Sequence, residues 1–291
     1  MKTVIAGMLL LTAVGNCGTL DYMSFSTVLI REVKPVVELA NGKNYEVWLK
    51  PEAEYVLIPK KMTVLGSGLI VIADGIPYLV TARHVATGMT ENCEITFRGT
   101  NGVPETIGLR ALTGQPQFTW IHSEAADISV HALPTITTNG SRLLEGRAVP
   151  LGWLESQTNL PSRDLTLTAL GFPLGLGAAE VFEPISKESK RSSGFLKDAN
   201  GTFFLLQDPS VGGFSGGPLF QSGDPRVVVA GESQIGVASG GAKIWGFVSA
   251  TYSDETGGKM CRITPAAFAV DLIQKVQGSI RVTRPSVPAA N

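Results

Sequence analysis

The chemically most distinctive segment of the chain is the glycine-rich sequence GFSGGP at residues 213–218. Glycines on both sides of a serine permit a tight turn and leave the serine hydroxyl uncrowded. In such a turn the backbone N–H groups of Gly213 and Ser215 can form an oxyanion hole, which stabilises the negative charge that develops during acyl transfer. The segment predicts that Ser215 is a nucleophile, and an ordinary glycine-rich loop is the alternative interpretation.

A serine nucleophile needs a base, because its hydroxyl is a weak nucleophile near neutral pH. His84 lies in the sequence TARHV at residues 81–85, where an apolar run gives way to a predicted short helical turn. Functional residues gather at such strand ends, because a rigid scaffold meets an accessible loop there. We therefore predict that His84 is the base, with a structural histidine as the alternative for this residue taken alone.

The third candidate is Asp127, in the sequence ADISV at residues 126–130, at the mouth of an alternating strand. A carboxylate buried among apolar residues is costly unless it has a partner. The imidazole of His84 would be such a partner, and Asp127 would hold its tautomer and stabilise its charged form. Together these signals predict a catalytic triad of His84, Asp127 and Ser215.

Two other hydrolase classes fit the sequence less well. The pattern GxSxG also marks the nucleophile of α/β-hydrolases, in which the histidine follows the serine. The histidines of this chain are His84, His122 and His131, and all of them precede Ser215. A subtilisin-like order would need an aspartate before His84, with Asp74 the nearest, and the serine segment does not match that family.

The elements that must position these residues are mainly short strands. Segments rich in Val, Ile, Leu and aromatic residues, bounded by Gly, Pro, Asn and Asp, predict strands along most of the chain. They are residues 27–33, 45–49, 55–59, 68–73, 78–82, 94–98, 127–133, 165–171, 202–207, 218–220, 227–233 and 243–250. Such a pattern is typical of a sandwich or a barrel.

Two local signals add detail to this all-β prediction. Asp74 and Gly75 separate two apolar runs, which predicts a β-hairpin with a two-residue turn. After Pro265, apolar residues recur at helical spacing as far as Val276, and Gly278 is the predicted end of this helix. The chain is therefore predicted to be all-β with a C-terminal α-helix.

Composition disfavours several other functions. Only 17% of the 291 residues are charged, the formal net charge is -1, and like charges do not form long runs. This is not the electrostatic pattern of a nucleic-acid-binding protein. With three histidines and no paired cysteine motif, we expect no metal site and no other cofactor.

The N-terminus has the layout of a secretory signal peptide, predicted at residues 1–17. Lys2 precedes an apolar run at residues 3–14, and this run is too short to span a bilayer. A buried first helix or strand is the alternative. We expect export to the periplasm, the cell envelope or the exterior. Cys17 follows a sequence similar to a lipoprotein cleavage box, in which Asn16 is atypical, so a lipid anchor on Cys17 is left open.

The two remaining cysteines, Cys93 and Cys261, also leave two alternatives open. In an oxidising compartment they could form a disulfide. Two free buried thiols fit the sequence equally well, because spacing alone does not bring their Cα atoms within bonding distance.

Four motifs together resemble the trypsin-like peptidase superfamily, and its bacterial HtrA-like branch in particular, over about residues 64–273. They are the sequences at residues 81–85, 126–130, 170–175 (LGFPLG) and 213–218. The resemblance implies two six-stranded antiparallel β-barrels with the triad in the cleft between them. It also implies a serine endopeptidase that acts through an acyl-enzyme intermediate on a protein or peptide substrate.

The resemblance further implies a boundary between the two barrels near Ser156 to Ser162. Together with the N-terminal and C-terminal signals, this predicts five segments: the leader at 1–17, an N-terminal extension with the first strands at 18–63, an N-terminal barrel with His84 and Asp127 at 64–158, a C-terminal barrel with Ser215 and the terminal helix at 159–278, and a flexible tail at 279–291. We expect no nucleic-acid partner, and we expect contact with a membrane only through lipid on Cys17.

Substrate recognition is also implied by the resemblance. Residues 245–250 are similar to the strand that pairs with the substrate backbone by β-augmentation, which makes Ser249 and Ala250 the predicted substrate-binding residues. Phe214 stands where digestive trypsins have an acidic residue that binds the new N-terminus of an activated zymogen, so we expect no activation of that kind. We also expect no regulation by a PDZ domain.

The base of the specificity pocket is predicted to come from Asp208, Pro209 and Ser210, just before the nucleophile. An acidic base would favour Lys or Arg in the substrate, and a proline would not. We expect small apolar side chains at the cleavage point. A different class of function is a catalytically silent trypsin-like scaffold that binds peptides or surfaces.

Overall fold

Two antiparallel β-sheets and a C-terminal helix form most of the structure, a computed structural model that describes residues 19–36, 46–49, 55–58, 60–115, 119–221, 226–229, 235–238 and 243–283. The first strands are β1 (Thr27–Val36), β2 (Glu46–Leu49), β3 (Tyr55–Ile58), β4 (Lys60–Ala73), β5 (Ile76–Thr81), β6 (Glu94–Arg98), β7 (Pro104–Gly108), β8 (Ile121–His122), β9 (Ser129–Ala132) and β10 (Val149–Pro150). They are followed by β11 (Leu167–Gly171), β12 (Ile185–Ser189), β13 (Leu196–Asp198), β14 (Gly201–Leu206), β15 (Pro218–Gln221), β16 (Arg226–Val229), β17 (Ile235–Ala238), β18 (Lys243–Ser253) and β19 (Lys259–Pro265). The α-helices are α1 (Thr19–Ser26), α2 (Arg83–Thr87), α3 (Leu109–Thr113), α4 (Thr138–Leu144) and α5 (Ala267–Thr283).

The first sheet has the strand order β7-β6-β1-β4-β5-β9-β8, and β10 pairs in parallel with β4. Strand β1 comes from the predicted N-terminal extension at 18–63, yet it lies inside this sheet between β4 and β6. The leader predicted at residues 1–17 lies outside the described residues. None of the helices in the described ranges is long and apolar enough to cross a membrane.

The second sheet has the order β12-β11-β15-β18-β19-β14-β13, with every pair antiparallel. Two further hairpins are formed by β2 with β3 and by β16 with β17. The strand prediction missed β19, because Arg262 interrupts its apolar pattern. Arg262 is buried there through an ion pair with Asp198.

The predicted hairpin joins β4 and β5 through Asp74 and Gly75, which both have positive φ angles of 48° and 75°. A two-residue turn with two positive φ angles matches the right-handed twist of the flanking strands. Aspartate and glycine tolerate this conformation better than most residues. The local sequence thus fixes the register that leads into His84.

Strands β4 and β5 are apolar on both faces because the first sheet lies between two cores. Leu69, Val71 and Tyr78 face a core shared with the second sheet and α5, whereas Ile70 and Leu79 face the other side, toward α3 and α4. Continuous apolar runs are the expected sequence for strands that are buried on both faces. The second sheet encloses a further core on its own outer side.

Helix α5 packs its apolar face into the shared core through Ala269, Val270 and Ile273. The prediction that Gly278 ends this helix is wrong, because the helix continues to Thr283. Residues 279–283 are therefore helical, although they belong to the predicted flexible tail. A glycine lowers helix stability by only about 1 kcal/mol, which packing of the preceding turns offsets.

The prediction of an all-β fold with a C-terminal helix is confirmed in its coarse form. No closed barrel is found within the described ranges. The second sheet is closest to closure, because an isolated bridge joins Arg191, just after β12, to Leu206 in β14. The division into two barrels at residues 64–158 and 159–278 stays a prediction, and the two sheets lie on either side of that boundary.

Candidate active site

The antiparallel pairing of β5 and β9 brings His84 and Asp127 together. Thr81 at the end of β5 pairs with Ser129 at the start of β9, so the residues just beyond both ends meet. His84 Nδ1 lies 2.8 Å from Asp127 Oδ2, and the His84 backbone N–H donates to Asp127 Oδ1 at 3.0 Å. The carboxylate thus fixes both the imidazole ring and the helical turn that carries it.

The environment of Asp127 favours its ionised form. Burial by itself raises the pKa of this carboxyl, but the hydrogen bonds and charge of His84, together with the nearby charge of Arg83, lower the pKa below its usual value. The Asp127 side chain is 11% exposed and the His84 side chain 51% exposed. Thr264 Oγ1 also donates to the Asp127 backbone carbonyl at 3.3 Å, a contact that no local sequence pattern predicts.

Ser215 lies in the loop that leads into β15 of the second sheet. The Gly216 N–H donates to the Val248 carbonyl at 2.7 Å, and the Val248 N–H donates to the Gly217 carbonyl at 2.9 Å. The Ser215 hydroxyl donates to the Ser249 carbonyl at 3.4 Å. Among the described side chains it makes no hydrogen bond to His84.

The predicted oxyanion hole has a defined backbone conformation. The Phe214 N–H closes a turn onto the Val211 carbonyl, and Gly213 has a φ of 100° inside this turn. The Gly212 carbonyl accepts the Leu174 N–H at 2.7 Å. Because N–H and C=O point in opposite directions across a trans peptide, the Gly213 N–H points away from Leu174. Within the described residues, neither the Gly213 nor the Ser215 N–H donates a backbone hydrogen bond.

A buried serine that the sequence analysis missed, Ser67 in β4, links this loop to the first sheet. Its N–H donates to the Ser215 carbonyl at 2.8 Å and its hydroxyl donates to the Gly213 carbonyl at 2.7 Å. The same hydroxyl accepts the Phe172 N–H at 2.9 Å, and the Ser67 carbonyl accepts the Thr81 hydroxyl at 2.7 Å. Ser67 therefore connects the loop of Ser215 to β5, which ends three residues before His84.

The glycine at position 216 is required by this close approach. A Cβ atom there would lie 2.1 Å from the Ser67 carbonyl oxygen and 2.9 Å from the Ala82 amide nitrogen. The φ of Gly216 is 87°, which is also unfavourable for other residues. The loop of Ser215 thus packs directly against Thr81 and Ala82, just before the helical turn that carries His84.

The predicted substrate-binding residues, Ser249 and Ala250, lie in β18 and line an open cleft of about 500 Å³ together with His84 and Asp127. The Ser249 hydroxyl is not free, since it donates to the Arg262 carbonyl at 3.2 Å. Substrate binding by Ser249 and Ala250 stays a prediction.

The segment predicted to form the pocket base is held by hydrogen bonds. The Asp208 carboxylate accepts the Ser189 hydroxyl at 2.7 Å. Thr251 Oγ1 donates to the Ser210 carbonyl at 2.7 Å and lies 3.1 Å from its hydroxyl, which joins this segment to β18. The segment and Phe214 line a small cavity of about 10 Å³.

Cys93 and Cys261 are buried, in the cores of the first and second sheets respectively, and they do not form a disulfide with each other. Burial raises the pKa of the Cys261 thiol to about 12, so it stays protonated and unreactive near neutral pH. Across the part of the chain that the structure describes, no three His, Cys, Asp or Glu residues are grouped so that they could hold a metal ion.

Comparison with known proteins gives matches among solved structures alone. No family model matches the chain, and no curated protein sequence matches it. Among solved structures, 562 chains match. One is the crystal structure of an inactive mutant form of Rv3671c from M. tuberculosis H37Rv, at 13% sequence identity and a TM-score of 0.47, with 94% of each chain covered.

Proposed function

We propose that the chain is a trypsin-like serine endopeptidase of the HtrA-like branch, with His84, Asp127 and Ser215 as its catalytic triad. The observation that supports this most is the doubly hydrogen-bonded pair of His84 and Asp127 beside a serine loop whose Gly213 and Ser215 N–H groups have no backbone acceptor among the described residues. A structural histidine would not require this arrangement.

In the proposed reaction His84 Nε2 takes the proton of the Ser215 hydroxyl as its oxygen attacks the substrate carbonyl carbon. Since Nδ1 faces the Asp127 carboxylate, Nδ1 carries the proton in the neutral ring and Nε2 is the basic nitrogen. The imidazolium then gives its proton to the leaving amine as the peptide C–N bond breaks. Water repeats the sequence on the acyl-enzyme and releases the free serine.

The Gly213 and Ser215 N–H groups would stabilise the negative oxygen of each tetrahedral intermediate. A single donor of this kind is worth about 10²-fold to 10³-fold in kcat in comparable sites. The hydrogen bonds of Gly212 with Leu174 and of Gly213 with Ser67 hold the loop before substrate binds. Such preorganisation is what makes an oxyanion hole effective.

A fluorophosphonate probe tests this proposal, because it reacts covalently with an activated serine. We expect labelling of the wild-type protein and none of Ser215→Ala. Ser162→Ala removes an exposed hydroxyl far along the chain from the nucleophile and is the matched control, which should label like wild type. Absence of labelling in folded wild-type protein would reject the peptidase function.

One observation favours the alternative of a catalytically silent binding scaffold: the Ser215 hydroxyl faces the Ser249 carbonyl and not His84. At 3.4 Å, however, this hydrogen bond is much longer than the usual O–H···O distance of about 2.8 Å and is therefore weak. Catalytic hydrogen bonds are commonly loose without substrate and tighten in the complex. The labelling experiment separates the two functions.

Two further parts of the proposal concern substrate and location. Asp208, Pro209, Ser210 and Phe214 line a cavity of only about 10 Å³. This small volume supports small apolar side chains at the cleavage point. We also propose export through the leader at residues 1–17, with a protein or peptide as the substrate. Cleavage-site mapping in a peptide library and N-terminal sequencing of the mature protein test these two parts.

A further inference from the structure

The cleft beside His84 contains two arginines with different electrostatic roles. Arg83 and Arg262 both line it, together with the β18 residues Ser249 and Ala250. A guanidinium carries a permanent positive charge and planar N–H donors that match a carboxylate. Whether each arginine is available to a ligand depends on its partners in the protein.

Arg262 is already neutralised. Its Nη1 and Nη2 atoms lie 2.5 Å and 3.0 Å from the two carboxylate oxygens of Asp198, and its guanidinium stacks over the Phe203 ring at 4.0 Å. Only 5% of the residue is exposed. Arg262 is therefore part of the cleft wall and offers little charge to a ligand.

Arg83 has no carboxylate partner in the part of the chain that the structure describes. The one hydrogen bond of its side chain there runs from Nη1 to the Ser123 carbonyl at 3.0 Å, which orients the guanidinium without compensating its charge. The residue is partly exposed and immediately precedes His84. Burial raises the pKa of Asp127, whereas the hydrogen bonds and charge of His84, and to a smaller extent the charge of Arg83, lower it.

We propose that Arg83 binds an acidic side chain of the peptide substrate, at a position that lies along Ser249 and Ala250 in the cleft. This inference rests on the proposed peptidase function and names the substrate class of the same site: peptides with Asp or Glu near the cleaved bond. The Nη1 hydrogen bond to Ser123 leaves the remaining guanidinium N–H groups for a carboxylate. A partly buried hydrogen bond between charged groups is stronger than a neutral one.

A different role for Arg83 would be to keep Asp127 ionised. The two roles predict different results, because support of Asp127 affects every substrate alike, whereas recognition of a carboxylate affects acidic substrates selectively. The informative quantity is therefore a ratio measured with one protein sample: kcat/KM for a peptide with Glu divided by kcat/KM for the same peptide with Gln. A variant that loses stability or general activity leaves this ratio unchanged.

The experiment places Glu or Gln at each position around the bond of a cleaved library peptide. At one position the wild-type ratio should be about 10, in line with a charge-assisted hydrogen bond of about 1.4 kcal/mol. Arg83→Gln should reduce the ratio to about 1, mainly through KM, and Arg83→Lys should retain part of the preference. Arg163→Gln removes the same charge from an exposed position and should keep the wild-type ratio.

A binding measurement makes the result independent of turnover. Fluorescence anisotropy of labelled Glu and Gln peptides on Ser215→Ala, with and without Arg83→Gln, gives the same ratio from dissociation constants. Equal affinity for both peptides, or a Glu preference that survives Arg83→Gln, overturns the proposal. Absence of fluorophosphonate labelling in wild type would instead reject the peptidase function. The ratio of affinities for the Glu and Gln peptides would still test whether Arg83 binds a carboxylate in the cleft.

Discussion

The two halves of the candidate site are held in place by different means. His84 and Asp127 belong to one sheet, and the register of a single strand pair brings their side chains into contact. Ser215 belongs to the second sheet, and backbone hydrogen bonds to Ser67 attach its loop to the first. The first half depends on local pairing, whereas the second depends on how the two sheets pack.

This difference explains why the described residues include a short contact between His84 and Asp127 but no hydrogen bond between His84 and Ser215. The pairing of two strands fixes which side chains lie next to each other, because the register can change only by whole residues. Two sheets that pack through a shared apolar core can shift slightly without losing burial, since hydrophobic contacts are not directional. Substrate that spans both halves would draw them into the reactive arrangement.

Removal of the base should have the largest effect. We expect His84→Ala to lower kcat/KM by about 10⁶-fold, because no other group in the proposed mechanism can take the serine proton. His122→Gln changes a histidine of β8 that pairs with Ser129 and does not line the cleft, and it is the matched control, with an expected change below about threefold. A loss below tenfold in His84→Ala would show that the assignment is wrong.

Asp127→Asn tests the contact inside the first half and should lower kcat by about 10⁴-fold. The amide can donate to His84 Nδ1, which would favour the wrong tautomer and leave Nε2 without a lone pair for the serine proton. Unfolding curves for the variant separate this effect from a loss of stability. A variant that keeps more than a tenth of the wild-type rate would contradict the proposed pairing.

Acidification should weaken catalysis before it disrupts the pair. The rate, measured between about pH 8 and about pH 5, should fall on acidification, because only a neutral imidazole can take the serine proton. The pKa of Asp127 is lowered in the folded state, so its stabilisation is present above the unfolded pKa of about 3.9 and is lost only as the pH falls through the lower folded value. A flat rate over this range, with circular dichroism unchanged, would contradict the role of His84.

The link between the halves is tested by Ser67→Ala, for which we expect a loss of about tenfold to 10²-fold in kcat with a smaller change in KM. The substitution removes the side-chain bonds to Gly213 and Phe172 but keeps the backbone bond to Ser215. The oxyanion-hole turn loses one restraint, so stabilisation of the transition state weakens more than substrate binding.

The control for Ser67→Ala is Ser192→Ala, in which another serine hydroxyl that donates to a backbone carbonyl, that of Leu205, is removed away from the site. It should leave the rate within about twofold of wild type. Slower fluorophosphonate labelling of Ser67→Ala, at equal unfolding free energy, supports a positioning role. Equal labelling rates in the two variants would exclude it.

The same contrast shows what could be predicted from the sequence. The hairpin before His84 and the strand after Asp127 carry strong local signals, a turn pair and alternating apolar residues, so that half of the site followed from pattern and burial cost. Ser67 carried no such signal, because a serine inside an apolar strand acquires its role from partners more than a hundred positions away. The prediction that α5 ends at Gly278 is wrong for a related reason, because tertiary packing outweighs the low helix propensity of one glycine.

The smallest predicted effect concerns the stability of the strand pair that holds His84 and Asp127. His131 lies in β9 opposite Leu79 of β5, with Nδ1 bonded to the Thr119 carbonyl and its ring against Trp120. Burial lowers the pKa of His131, and its bond to Thr119 offsets this only in part. The unfolded chain therefore binds a proton more readily, and stability falls as the pH drops below the unfolded value of about 6.5.

His131→Gln should remove this contribution, which is at most about 1.4 kcal/mol per pH unit. We expect the urea-unfolding free energy of wild type to fall faster than that of His131→Gln between about pH 7 and pH 5. His122→Gln changes a more exposed histidine and should follow the wild-type slope more closely. If the unfolding free energies of wild type and His131→Gln changed equally with pH, His131 would be protonated equally in the folded and unfolded chains. Acid would then lower the rate without destabilising the β5–β9 pair through His131.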